Sequence, residues 1–163
     1  MTAEHAGRDG DAVEGRFVVT HADGTSAVLK DVDSGGVHTL GDDPGVDPRE
    51  VIEGTLEPEP PMAVTYRIAE IDTRRRLSLE ESPEPPTRQE RRLADKQGVG
   101  EVTRRERAGT GELHVLTVPE DDTEAAVEDV LGDEATLVRA ARIGVDRVEV
   151  RAEPGVVSVR YMP

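Results

Sequence analysis

Hydrophobic residues in the first half of the chain come in short alternating runs broken by turn-forming residues. Phe17 and Val19 alternate with Arg16 and Val18, and Ala22-Asp23-Gly24-Thr25 supplies a hairpin turn. Residues 27–32 predict a second strand, Asp33-Ser34-Gly35-Gly36 a second turn, and residues 37–40 a third strand. Residues 41–48 read as a polar loop and 51–56 as a short strand. After Pro58, Pro60 and Pro61 comes the clearest alternation in the chain. Met62, Val64, Tyr66 and Ile68 fall on one face; Ala63, Thr65, Arg67 and Ala69 fall on the other. Asp72-Thr73-Arg74-Arg75 predicts a turn that sends the chain back through Leu77 and Leu79. So many short strands in residues 15–81 predict a small closed or nearly closed antiparallel β-barrel.

The pattern then changes. Residues 82–86, Ser-Pro-Glu-Pro-Pro, form an expected linker, because proline bars both a helix interior and a central strand. Thr87 and Glu90 have capping-box spacing and open a helix that runs to about Lys96 and ends at Gly98. Thr103 and Glu106 repeat the spacing. They predict a single helical turn closing at Gly109, the alternative being a strand paired with the next element. Residues 113–118 are apolar on both faces and predict an inner strand. Asp122 opens a helix carrying Ala126, Val127, Val130 and Leu131 as far as Gly132. Asp133 opens another with Leu137, Val138 and Ala141 inward, stopped by Gly144. A hairpin ends the chain, with Val148 and Val150, a Glu153-Pro154-Gly155 turn, and Val157, Val159 and Tyr161. Residues 87–163 are thus expected as an α+β module with helices on one face of a small sheet. Residues 1–14 are expected as a disordered acidic tail. The fold class is α+β overall.

Charge narrows the picture. The 163 residues include 35 acidic and 20 basic side chains, a net charge of −15. Lys30 and Lys96 are the two lysines. One stretch runs against the trend: residues 74–107 hold ten basic residues against seven acidic ones. These include Arg74, Arg75, Arg76, Arg88, Arg91, Arg92, Arg104, Arg105 and Arg107. Guanidinium forks match phosphate oxygens in pairs and stay charged in any ordinary buffer, so these nine arginines are the candidate polyanion-binding residues. Their competing use is pairing with nearby acids such as Glu80, Glu90 and Glu106. Abundant carboxylates with almost no lysine also fit a protein adapted to molar salt. There the Debye length falls to about 3 Å and crowded carboxylates stop repelling one another strongly.

Other chemistry is thin. Without cysteine there is neither a disulfide nor a thiolate metal site. No apolar run is long enough to span a membrane, and the acidic start lacks a hydrophobic signal segment, so a cytoplasmic protein is expected. Asp31 to Gly36, with Asp42 beyond, echoes a calcium loop. Gly35 stands where a third oxygen ligand belongs, which favours a hairpin turn. His5, His21, His38 and His114 have no ligand spacing, so no metal site is expected, and no cofactor either. Gly109-Thr110-Gly111 is too short for a phosphate loop, and the serines lack a nucleophile elbow. With no nucleophile, base and orienting group together, an enzyme is not expected.

Two resemblances add to this. The run from Tyr66 to Glu80, Tyr-Arg-Ile-Ala-Glu-Ile-Asp-Thr-Arg-Arg-Arg-Leu-Ser-Leu-Glu, resembles the last two strands of S1-type OB-fold RNA-binding domains, with Gly15 to Leu29 as opening strands. It implies an OB-like barrel and contact with RNA. The chain departs from that pattern in lacking an aromatic pair on its early strands, where Phe17 stands alone. Thr103-Arg-Arg-Glu-Arg-Ala-Gly and Leu113-His-Val-Leu-Thr-Val-Pro look like segments of a family of small, uncharacterised haloarchaeal proteins, which implies a salt-rich cytoplasm and no particular activity. The expected function is therefore a non-catalytic binding protein for RNA or another polyanion. The alternative is a protein-interaction or assembly module that meets an acidic protein partner.

Overall fold

The structure, a computed structural model, describes residues 11–41, 44–61, 64–107 and 109–163. The chain divides into two units. The first runs to Arg76 and takes in Leu137–Arg142; the second comprises Leu77–Thr136 and Ile143–Pro163.

In the first unit, β1 (Val13–Ala22), β2 (Ala27–Asp31), β3 (Val37–Leu40), β4 (Glu50–Pro58) and β5 (Tyr66–Arg76) close into a barrel of order β1-β2-β3-β5-β4. All its pairings are antiparallel except β3 with β5, which is parallel and registers Leu40 on Tyr66. Alternation sends Phe17, Val19, Leu29, Leu40, Ile52 and Leu56 inward, each fully buried, with Tyr66 and Ile68 packed against them. Val18 and Val51 pair with each other on the outer face and are buried as well. From residues 137–142 of the same unit, Arg142 donates two hydrogen bonds, at 2.9 and 2.7 Å, to the Val32 carbonyl.

The turns follow their chemistry. Asp23 accepts from the backbone N–H groups of Thr25 and Ser26 at 3.0 and 2.9 Å. The Ser26 hydrogen bond leads in holding its carboxyl at about 2. Asp31 Oδ1 accepts from the N–H groups of Asp33 and Ser34 at 2.8 and 3.0 Å, which makes the calcium-like segment an Asx turn. Asp42, Met62 and Ala63 lie outside the described residues.

Several expectations need correction. The turn foreseen at residues 72–75 is strand, because β4 offers partners to three of its four residues: Thr73 faces Glu53, Arg74 faces Ile52 and Arg75 faces Val51, while Asp72 sits at a register shift. The long alternation begins at Tyr66. The strand containing Leu79, β6 (Ser78–Glu81), does not close the barrel but pairs in parallel with a C-terminal strand. Of the expected tail, residues 1–10 lie outside the described residues, and Val13 and Glu14 already belong to β1.

In the second unit, residues 82–86 carry neither helix nor strand. They lead to α1 (Arg88–Asp95), β7 (Val102–Glu106), β8 (Glu112–Thr117), a 3-10 turn (Glu120–Asp122), α2 (Thr123–Gly132), the two ends of α3 (Glu134–Ile143), β9 (Arg147–Glu153) and β10 (Val156–Met162). The sheet order is β6-β9-β10-β8-β7. The foreseen turn at 103–106 is instead edge strand β7, paired antiparallel with β8. Gln97 explains why: its Nε2 donates to the carbonyls of Glu101 and Val115 at 3.0 and 2.9 Å, and its Oε1 accepts from the Thr103 hydroxyl. Helices also lie on both faces of the sheet, not one. Ala94 and Leu93 of α1 pack with Val115 and Val156, whereas Val127 and Leu131 of α2 lie with Ala152, which alternates to the opposite side. Arg107 to Gly111 is closed by a backbone bond of 3.2 Å. Gly111 has φ +118°, and a Cβ there would sit 2.1 Å from the Tyr161 carbonyl oxygen, so glycine is required.

Candidate anion-binding site

Arg74, Arg75 and Arg76 fall on β5 in the first unit; the other six candidates fall in the second. Arg74 and Arg76 are engaged by carboxylates. Arg74 Nε and Nη2 donate to Glu50 Oε2 and Oε1 at 2.6 and 2.9 Å, and Nη2 also reaches the Gly45 carbonyl at 2.7 Å. Arg76 pairs with Asp47 at 3.4 Å. Glu50 accepts the Asp47 N–H at 2.6 Å as well. Its carboxyl is held below the ordinary value, first by the Arg74 hydrogen bonds, with burial opposing. This corner is an internal ion-pair network.

The second unit is arranged differently. Thr87 caps α1: its hydroxyl accepts the Glu90 N–H at 3.2 Å and Glu90 Oε1 accepts the Thr87 N–H at 2.9 Å. Glu90 thereby lies inward, and Arg88, Arg91 and Arg92 outward. Arg91 Nε donates to both Glu153 oxygens at 2.9 and 3.0 Å, so this arginine is also committed. Arg88 and Arg92 show no carboxylate partner among the described residues, and Arg104 shows none either.

Alternation along β7 puts Arg105 on the same side as Leu113 and Arg104 on the opposite side with His114. Arg105 and Arg107 line one pocket together with Arg160 of β10. The first turn of α1 forms another wall through Thr87, Gln89 and Glu90, and Leu113 gives the pocket an apolar patch. Arg160 is braced from behind, 3.4 Å from Glu149 and 3.9 Å from Glu90. Glu149 also holds Arg151 at 2.8 Å, and Arg151 reaches Glu84 at 2.8 Å. Among the described residues Arg105 and Arg107 have no carboxylate partner; Arg105 Nη1 donates to the Arg104 carbonyl at 3.2 Å.

Sequence reasoning missed Arg160. It lies in the acidic last third of the chain, and its signal was positional: on the final strand it alternates with Val157, Val159 and Tyr161, so it shares a face with Arg105 and Leu113. Among the described residues no group of three or more histidine, cysteine or acidic side chains is arranged to hold a metal ion. Among the described residues no helix is long and apolar enough to cross a membrane.

These features define a two-unit α+β protein, one unit a five-stranded closed barrel and the other a mixed sheet bearing an arginine-rimmed pocket. The chain belongs to the family of unknown function DUF5812, whose family model matches residues 13–152. No curated protein and no solved structure matches it.

Proposed function

We propose that this chain is a non-catalytic cytoplasmic binding protein that contacts RNA or another polyanion through arginines of its second unit. The observation that carries the reading is the pocket where Arg105 and Arg107 stand without carboxylate partners among the described residues, beside a braced Arg160. Of the six candidates in the second unit, Arg91 serves an internal pair, which concentrates ligand binding on Arg88, Arg92, Arg104, Arg105 and Arg107. The barrel's strand order, with its parallel β3–β5 closure, supports an OB-like reading of the first unit. The acid-rich, lysine-poor composition supports a salt-rich cellular setting of the haloarchaeal kind.

Electrophoretic mobility with mixed-length RNA across a potassium chloride series tests the proposal. Retardation that weakens as salt rises, and that is lost in an Arg105→Glu, Arg107→Glu variant, is the expected result. Free migration of RNA at every salt concentration, together with no change in Tm on adding inorganic pyrophosphate, would sink it.

A protein partner is the second reading. It is favoured by edge strand β7, whose outer backbone is open to pairing and whose Val102 is 46% exposed.

A further inference from the structure

We infer that the pocket between the start of α1 and strand β7 takes a single terminal phosphate group, so that it reads the phosphorylated end of a ligand rather than the length of a polymer. This rests on the polyanion reading and narrows it.

Size and closure come first. The cavity is about 290 Å³ and is walled by Thr87, Gln89 and Glu90 on one side and by Arg105, Arg107 and Arg160 on the others. That is room for one tetrahedral oxyanion with part of the group it is attached to. It is not a track along which a backbone could run.

Charge gives the second argument. The second unit carries 19 acidic against 10 basic residues, so an extended polyanion laid across it would meet carboxylates beyond the pocket rim. A terminal phosphate avoids this. It concentrates nearly two negative charges on three oxygens at neutral pH, whereas an internal phosphodiester spreads one charge per linkage. Two guanidinium forks that lack carboxylate partners among the described residues match that concentration.

The two acidic residues lining the pocket do not cancel this. Glu90 is 2% exposed, and its Oε1 is already used by the Thr87 N–H. Its Oε2 faces Arg160 at 3.9 Å. Glu106 alternates on β7 to the side opposite Arg105. The uncharged Thr87 and Gln89 side chains and Leu113 complete the lining, which suits the neutral sugar or base that follows an end phosphate.

The test uses the full chain and short RNA oligonucleotides of one sequence, bearing a 5′-phosphate, a 3′-phosphate or only hydroxyl ends, measured by fluorescence anisotropy at constant ionic strength. One phosphorylated end is expected to bind about tenfold tighter than the hydroxyl form. In an Arg105→Gln, Arg107→Gln variant, with folding checked by circular dichroism, that preference should disappear. Equal affinity for all three RNAs overturns the inference and leaves the broader polyanion reading standing. Inorganic pyrophosphate gives the complementary arm. If no RNA binds but pyrophosphate raises Tm, and the variant loses that rise, the pocket stands and RNA as its source falls. If neither RNA nor pyrophosphate has any effect, both readings fall.

Discussion

A carboxylate such as that of Glu50, whose side chain keeps 10% of its surface, loses much of its hydration on folding and needs compensating partners to stay charged at low cost. Arg74 is such a partner, and truncating it would leave the charge unpaired. Arg74→Ala is expected to cost about 2 kcal/mol in urea unfolding, less than for a fully buried pair because the guanidinium is 41% exposed. Glu50 titrates below its ordinary value of 4.5 in the folded protein. Its stabilising contribution is therefore complete above that value and is lost as pH falls through the folded one. Urea midpoints taken between pH 7 and 3 should fall less steeply in Arg74→Ala than in the parent. His38 gives a second pH effect in another range. Its ring stands edge-on between Phe17 and Tyr66, with centroids 5.7 and 4.9 Å away, and its buried Nδ1 has no hydrogen-bond partner among the described residues. Burial lowers its pKa from 6.5, with the Asp31 charge opposing. The folded state thus prefers neutral imidazole, and stability present above pH 6.5 declines as the pH drops through the folded value. Tm measured at pH 7.5 and 5.5 should show a drop that His38→Phe reduces; an equal drop in both proteins would exclude this ring as its source.

Among the elements, the β4–β5 ladder makes one very close backbone approach. Its register shifts between Glu53 and Gly54, and a Cβ on Gly54 would lie 2.1 Å from the Glu70 carbonyl oxygen. Gly54→Ala must displace backbone and is expected to cost about 2–3 kcal/mol in chemical denaturation. A cost near zero would mean that the bulge relaxes freely. The same ladder shows what the sequence could and could not convey. Alternation placed β1, β2, β3 and the last hairpin well, because a half-buried strand writes its period into its own residues. Asp72-Thr73-Arg74-Arg75 has turn-forming residue types, yet a partner strand 9 residues long recruited it into pairing, and that partner lies outside the local window. Thr103 is a similar case. Its spacing to Glu106 matches that of Thr87 to Glu90, but Thr87 precedes residues that turn an apolar side to the sheet, and Thr103 precedes more charge and then glycine. Which face of the sheet a helix covers was also illegible, since that depends on the path of the connection and not on the helix's own period.

At the scale of the whole molecule, the family match runs through residues 13–152 and so spans both units without a break. The arginine excess of residues 74–107 was plain in the sequence, but its division into committed and uncommitted members was not. Pairing depends on acids such as Glu50 and Glu153, which lie up to 62 residues away. A charge of −15 on 163 residues bears on folding as well. If repulsion among the carboxylates limits stability, far-UV circular dichroism should show ordered structure gained, and Tm raised, between dilute buffer and molar potassium chloride. A spectrum and melting point indifferent to salt would remove the case for salt adaptation. The six residues of α3 counted with the first unit have their own consequence. Arg142 secures the Val32 carbonyl from a position 110 residues further along. Gene fragments that stop after the proline stretch would therefore encode an incomplete barrel unit, and neither half is a portable cassette that recombination can move alone.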